Sequence, residues 1–240
     1  WYVERDALQD VLNCPVRLVN DFHAQAFAAP HLSAGQVVPL DKISDRQPGH
    51  IALIGAGTGL GEALSVWNGS SYFAVAGEGG HSRFGPRDDR QLKVLLGLRA
   101  RWPDHVSVER VASGPGILNI YDVLRGDAPR HPDLENGDPS AAITRLALAQ
   151  ECSVAQAALE VFVDVLADEA ASLALKCNAH LVLVSGGVPP RILPVFEERF
   201  RASFENKGRY RSLMEGIPVR VVIEPNFGLL GAGYAGLELV

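Results

Sequence analysis

Five short stretches of this 240-residue sequence hold side chains able to do chemistry, and each also has a plain structural reading. Asn20-Asp21 pairs an amide with a carboxylate after the β-like run Val16 to Val19. A carboxylate at the C-terminal edge of a strand in an open α/β sheet lies where ligands bind, and it can take a proton from a substrate hydroxyl. The same dipeptide ahead of a helix is commonly an N-cap. The run Gly55-Ala-Gly57-Thr58-Gly59-Leu-Gly61 has four glycines in seven residues. Glycines let backbone N–H groups approach phosphate oxygens, and Thr58 adds a hydroxyl donor. A merely tight turn is the other reading.

Gly77-Glu78-Gly79-Gly80-His81 sets a carboxylate and an imidazole three residues apart in a glycine-flexed segment. Acceptors and a donor held in fixed directions suit sugar hydroxyls, although a lone Glu-His pair in a loop is often surface decoration. In Ser107-Val-Glu109-Arg110-Val-Ala-Ser113-Gly114-Pro115-Gly116, Glu109 stands on a first helical turn, where the helix dipole alone favours an acid. Ser185-Gly186-Gly187 after a buried strand could let a nucleotide lie on bare backbone, or could be a close strand–helix turn. The cluster Lys207, Arg209 and Arg211 around Tyr210 reads as a solvated helix end.

Several chemistries are excluded by pattern. Counted from Gly55 or Gly57, G-x-G-x-x-G fails at Leu60 or Glu62, and a hairpin follows instead of a helix, so the dinucleotide fingerprint does not apply. There is no G-x-x-x-x-G-K-[ST], no GxSxG, no HExxH and no kinase HRD or DFG triplet.

The elements that must position these residues follow from periodicity and punctuation. Residues 4–12 and 22–29 have helical spacing, and the polar, Pro/Gly-rich segment from Pro30 to Gly49 reads as a loop or domain crossover. His50 to Ile54 is a buried strand, and the glycine loop joins it to a hairpin whose turn is Asn68-Gly69, with the second run at Ser71 to Ala76. Ser107 is a candidate N-cap, a helix of about 116–125 stops at Gly126, and Asp138-Pro139 opens another. Ser153 and Gln156 form a capping box for a long helix to about Lys176, with Leu159, Phe162, Val163, Leu166, Ala170 and Leu173 on one face. Leu181 to Ser185 is a strand, 191–206 a helix stopped by Gly208, Val219 to Glu224 a last strand, and a terminal helix begins near Gly228. Strands of continuous apolar residues alternating with helices make this an α/β fold.

Composition narrows the class. With 22 basic and 28 acidic side chains the formal charge is −6, which argues against nucleic acid or an anionic membrane as partner. A hydrophobic share of 47% with 21% charged residues is enough to bury a sizeable core, and no apolar run reaches the length of a membrane helix. Cys14, Cys152 and Cys177 are odd in number and far apart, which excludes a disulfide framework and suits a reducing cytoplasm. Met214 is the single methionine, so Trp1 is not a natural start and a segment upstream is expected.

The order of the blocks carries more than any one of them. LVNDF, GAGTGLG, GEGGH, SVERVASGPG, VSGGVPPR and GLLGAGY together strongly resemble the bacterial glucokinase family, of the hexokinase/actin-like ATPase superfamily, over essentially the whole chain. The cysteine-rich zinc motif of the repressor/kinase type of sugar kinase is absent.

The resemblance implies a two-domain actin-like ATPase (ribonuclease H-like) fold with ATP in the interdomain cleft and glucose beside it. Residues 1–31 would be a remnant of the small domain, 32–222 the large domain, and 223–240 a segment whose helix returns to the small one. Asp21 would match the catalytic base, taking the proton of the sugar 6-hydroxyl as it attacks the γ-phosphate. Asn20, Glu78, His81 and Glu109 would match the glucose-binding set. Gly57, Thr58 and Gly59 resemble the second phosphate loop, and Gly186-Gly187 the adenosine loop. Mg²⁺ accompanies ATP in such enzymes, and a homodimer in the cytoplasm is the expected assembly. The family's opening D-x-G-G-T, with its first phosphate contacts and Mg²⁺-orienting Asp, is not found in the sequence. The expectation is that this front segment is missing, leaving the chain alone impaired and with apolar sheet edges uncovered. Kinases for another hexose or an amino sugar, and a non-catalytic sugar-binding module, are the competing readings.

Overall fold

Nine α-helices and six strands follow one another among the residues that the computed structural model describes, 3–44, 48–135 and 137–239. In chain order these are α1 (Arg5–Leu12), α2 (Asp21–Ala28), β1 (Val37–Pro39), β2 (Ile51–Ala56), β3 (Leu60–Trp67), β4 (Tyr72–Gly77), α3 (Asp89–Arg99), α4 (Gly114–Arg125), α5 (Pro139–Leu148) and α6 (Ser153–Cys177). They continue with β5 (Leu181–Ser185), α7 (Leu193–Glu205), α8 (Arg211–Glu215), β6 (Val219–Val222) and α9 (Phe227–Leu237).

One six-stranded sheet of order β1-β6-β5-β2-β3-β4 organises the molecule. β2, β3 and β4 form an antiparallel meander, while β2–β5 and β5–β6 pair in parallel. Alternation sorts the central strand between two cores. Ala52 and Ile54 face the large core under α4, α5, α6 and α7, whereas Ile51 and Leu53 face a smaller one with Ala26 and Ala28 of α2 and Phe227 of α9. All six residues of β2 are buried, which explains its unbroken apolar run. The long α6 is buried around most of its circumference, so it is the core element the sheet and its neighbouring helices pack on. On α7 the rings of Phe196, Phe200 and Phe204 stack at i, i+4 spacing and are fully buried.

The structure departs from the expectations at several points. Val16 to Val19 is not a strand, since residues 15–20 pair with nothing in the sheet; β-propensity without a partner leaves only extended chain. The polar segment before His50 holds the short strand β1, whose register with β6 (Val37↔Val222) makes it an edge. Residues 45–47 of that segment, and the outermost Trp1 and Val240 of the expected domain ranges, lie outside the described residues. The hairpin turn runs from Asn68 to Ser71, with Asn68 N–H donating to Ser71 O, and only Gly69 takes a positive φ (+102°). The Asn68 carboxamide oxygen closes this loop by accepting from the N–H groups of Ser70 and Ser71, and the tip falls at Gly69-Ser70, one residue later than Asn68-Gly69. Ser153 lies inside α6, whose N-cap is Cys152 with no side-chain cap bond. Ser107 precedes only one 3₁₀ turn and its side chain does not cap it.

Candidate active site

Asp21 opens α2 rather than standing at the end of a strand. Asn20 is the N-cap: its side-chain oxygen accepts from Phe22 N–H at 2.8 Å and His23 N–H at 3.2 Å, satisfying two of the free amides at the helix start. The capping reading of Asn20 is therefore met in the structure; Asp21 is exposed, and its Oδ1 also accepts from Phe22 N–H at 2.9 Å. The next residue anchors it. Phe22 lies across β2 and β3 where Gly55 and Gly61 face each other in register. A Cβ on Gly61 would stand 2.1 Å from the Phe22 ring, and one on Gly55 2.5 Å from it. Two facing glycines thus make the groove that seats the ring of the residue next to Asp21. Behind α2, α9 comes close enough that a Cβ on Gly231 would meet Ala24 O at 1.8 Å.

The glycine loop is tied at both ends. Gly57 N–H donates to Gly59 O (2.9 Å), and Gly114 N–H at the start of α4 donates to Gly57 O (2.7 Å). Thr58 at its tip is exposed. Gly186 packs behind this loop with φ +97°, where a Cβ would lie 2.3 Å from Ala56 O. Val188 N–H donates to that same carbonyl at 3.2 Å. Gly187 N lies 3.9 Å from where a Cβ on Gly57 would stand, and a Cβ on Gly187 itself would meet nothing within 4 Å. The two glycine segments, 130 residues apart, form one stretch of bare backbone beside open space.

Glu78, His81 and Glu109 come together. The segment after β4 makes a 3₁₀ turn, Gly79–His81, and then runs beside residues 106–109, with Phe84 N–H donating to Val106 O and Val108 N–H to Ser82 O (both 2.9 Å). His81 Nε2 lies 3.8 Å from Glu78 Oε2, and its Nδ1 lies 4.0 Å from Glu109 Oε1. Those separations are too long for hydrogen bonds, and the side chains of Glu78 and His81 are 81% and 60% exposed, so their polar atoms face solvent. Glu109 is different: Leu60 N–H donates to its Oε2 at 3.1 Å, and that oxygen fills the place of a Cβ on Gly59 (2.6 Å). The carboxylate of the SVERV block is therefore fastened to the last turn of the glycine loop.

Two residues of this site escaped the sequence reading. Phe22 could have been found from the facing pair Gly55 and Gly61, once the hairpin register was known. Glu62 is an acid on β3 in phase with the inward-facing Leu60, and it is only 3% exposed. Burial, with the charge of Glu169 next, pushes its carboxyl up to about 7. Among the described residues no group of three or more His, Cys, Asp and Glu is placed to hold a metal ion.

Comparison with known proteins places the chain. The glucokinase family model matches residues 1–238. A curated glucokinase of Nostoc punctiforme is 34% identical over 260 residues, covering 100% of this chain and 76% of the relative. A glucokinase crystal structure from an Antarctic psychrotroph superposes with a TM-score of 0.86 at 33% identity, covering 98% of this chain and 73% of that one. A Balamuthia mandrillaris glucokinase crystallised with glucose shares the fold at 22% identity, TM-score 0.81, over 92% of this chain and 65% of that one.

Proposed function

This chain belongs to the glucokinase family of ATP-dependent sugar kinases, and we propose that Asp21 is its general base. In the reaction the sugar 6-hydroxyl oxygen attacks the γ-phosphorus of ATP. An O–P bond forms, the bond to the bridging oxygen breaks, ADP leaves, and the hydroxyl proton passes to an Asp21 carboxylate oxygen. Asn20 caps the helix that opens at Asp21 through its carboxamide oxygen, and its carboxamide NH₂ is proposed to donate to a sugar hydroxyl. Glu78, His81 and Glu109 accept from and donate to the ring hydroxyls, fixing the pose that places the 6-hydroxyl at Asp21. Gly57, Thr58 and Gly59 cradle phosphates through backbone N–H groups and a hydroxyl, and Gly186-Gly187 carry the adenosine.

The observation that carries this reading is the hydrogen bond from Leu60 N–H to Glu109, which ties the loop proposed for the phosphates to one carboxylate of the proposed sugar set. Bringing both substrates to one framework is most of what phosphoryl transfer requires. Mg²⁺ is proposed as the nucleotide's companion. Bound with the nucleotide and held chiefly by its phosphates, it would neutralise charge developing in transfer.

The division into 1–31, 32–222 and 223–240 is retained as a proposal, supported by α2 and α9 packing on each other at one face of the sheet. A homodimer is the proposed assembly, covering Phe73 and Val75, which are exposed on the edge strand β4. No helix among the described residues is long and apolar enough to cross a membrane. A cytoplasmic location is proposed because ATP is the substrate.

Coupled ADP release measured with glucose, ATP and Mg²⁺ tests the activity, together with calorimetric glucose binding to Glu78→Gln and His81→Ala. ADP release should depend on glucose, and both variants should bind glucose at least tenfold more weakly, about the loss expected for one or two buried hydrogen bonds. Intact glucose binding in both would remove Glu78 and His81 from the site.

A further inference from the structure

The glycines of the GEGGH loop lie directly on β3. Gly77 is the register partner of Glu62, and the chain then folds back over that residue's side chain. A Cβ on Gly79 would stand 1.7 Å from Glu62 Oε2 and 3.1 Å from Oε1, and a Cβ on Gly80 would stand 2.2 Å from Leu60 O. The loop carrying Glu78 and His81 thus rests on Glu62 and Leu60, two residues on the same face of the strand. Leu60 is fixed through its bond to Glu109. Glu62 Oε1 has no such bond: it is buried without a hydrogen-bond partner among the described residues.

We propose that Glu62 is a positioning residue for sugar binding, its buried carboxyl setting how closely the Gly77–His81 segment lies on β3 and hence where Glu78 and His81 are presented. The inference rests on the assignment of those two residues to the sugar site. It differs from that assignment because Glu62 touches the loop from beneath and faces no substrate.

The groups around Glu62 give the device its chemistry. From α6, Glu169 faces it and disfavours its charge, while Lys176, 3.6 Å from Glu169, favours it. From the loop above, the charged or titratable side chains are Glu78 and His81, both turned to solvent. Burial and Glu169 together raise the carboxyl to about 7. Neutral, it can stay under Gly79 and offer an O–H. Ionised, it is a buried charge with an unpaired oxygen beside a second acid, and lifting the loop to admit water relieves it. Glucose binding, which needs the loop down, therefore favours the neutral form. With the carboxyl raised to about 7, full coupling would lower apparent glucose affinity by up to about tenfold between pH 6 and pH 8.

Two measurements on the protein test this. In the first, the glucose Kd is read by calorimetry from pH 6 to 8 for the wild type and for Glu62→Gln, which keeps the shape without titrating. The wild-type Kd should rise about tenfold across that range, and that of Glu62→Gln should change less than twofold, with melting temperatures confirming that both are folded. The second is a double-mutant cycle at fixed pH with Gly79→Ala, Glu62→Ala and the pair. Gly79→Ala should weaken glucose binding in the presence of Glu62 and much less when the carboxyl has been removed. An unchanged pH slope in Glu62→Gln, or simple additivity in the cycle, overturns the inference. If Glu78→Gln and His81→Ala lose glucose in the same assay while either result holds, only this inference falls. If they retain glucose, the sugar-site assignment beneath it falls.

Discussion

The Phe22 ring sits in the space that a side chain on Gly61 would fill, 2.1 Å from an ideal Cβ there. Gly61 faces Gly55 across the β2–β3 pair, and the ring leans on both. Asp21 precedes that ring directly, so the position of the proposed base is set by glycines more than 30 residues away in sequence.

Replacing Gly61 with alanine should therefore act at a distance. Overpacking of this kind costs about 1–3 kcal/mol, visible as a lower denaturant midpoint. Because α2 must shift, kcat should fall by more than glucose affinity does. A variant with normal stability and normal kcat would show that Phe22 does not anchor Asp21.

Gly186 makes a separate claim. Its φ of +97° and the 2.3 Å approach of a Cβ to Ala56 O leave alanine both strained and obstructed. Gly186→Ala should lower stability by about 1–3 kcal/mol and weaken nucleotide binding more than glucose binding. Titration with ADP and with glucose separates the two, and equal losses for both ligands would argue against a nucleotide role for this turn.

Stability should carry the mark of Glu62. Its carboxyl is raised in the folded state from the usual 4.5 to about 7, so the unfolded chain releases this proton first. The stabilisation linked to the group is full below about pH 4.5 and is lost as pH rises through about 7. Glu62→Gln should remove that dependence, being more stable than the wild type at pH 8 and level with it near pH 5. Parallel melting curves at both pH values would contradict the assignment.

What the sequence disclosed, and what it hid, divide along physical lines. The six-residue apolar run of β2 and the glycine-marked loops were legible because burial on both faces and steric demand leave local signatures. The chemistry-bearing residues were legible as types, and their order carried the family resemblance. Their joining was not, because it depends on register and crossover: only the folded sheet puts Leu60 N–H on Glu109, or Glu62 under Gly79. Val16 to Val19 looked like a strand because branched residues favour one, yet no neighbour pairs with it. Val37–Pro39 looked like loop, yet β6 supplies it with a partner. The α6 cap fell one residue earlier than the Ser153 box predicted, at Cys152, which leaves those amides without the serine.

The most direct test of the account is the Asp21→Asn variant, with kcat from coupled ADP release and glucose Kd from calorimetry. Removing a positioned general base should lower kcat by about 10²–10⁴-fold, while glucose, read by Glu78, His81 and Glu109, should bind within about threefold of the wild type. Turnover within a few-fold of normal, or glucose binding lost together with turnover, would contradict the role assigned to Asp21.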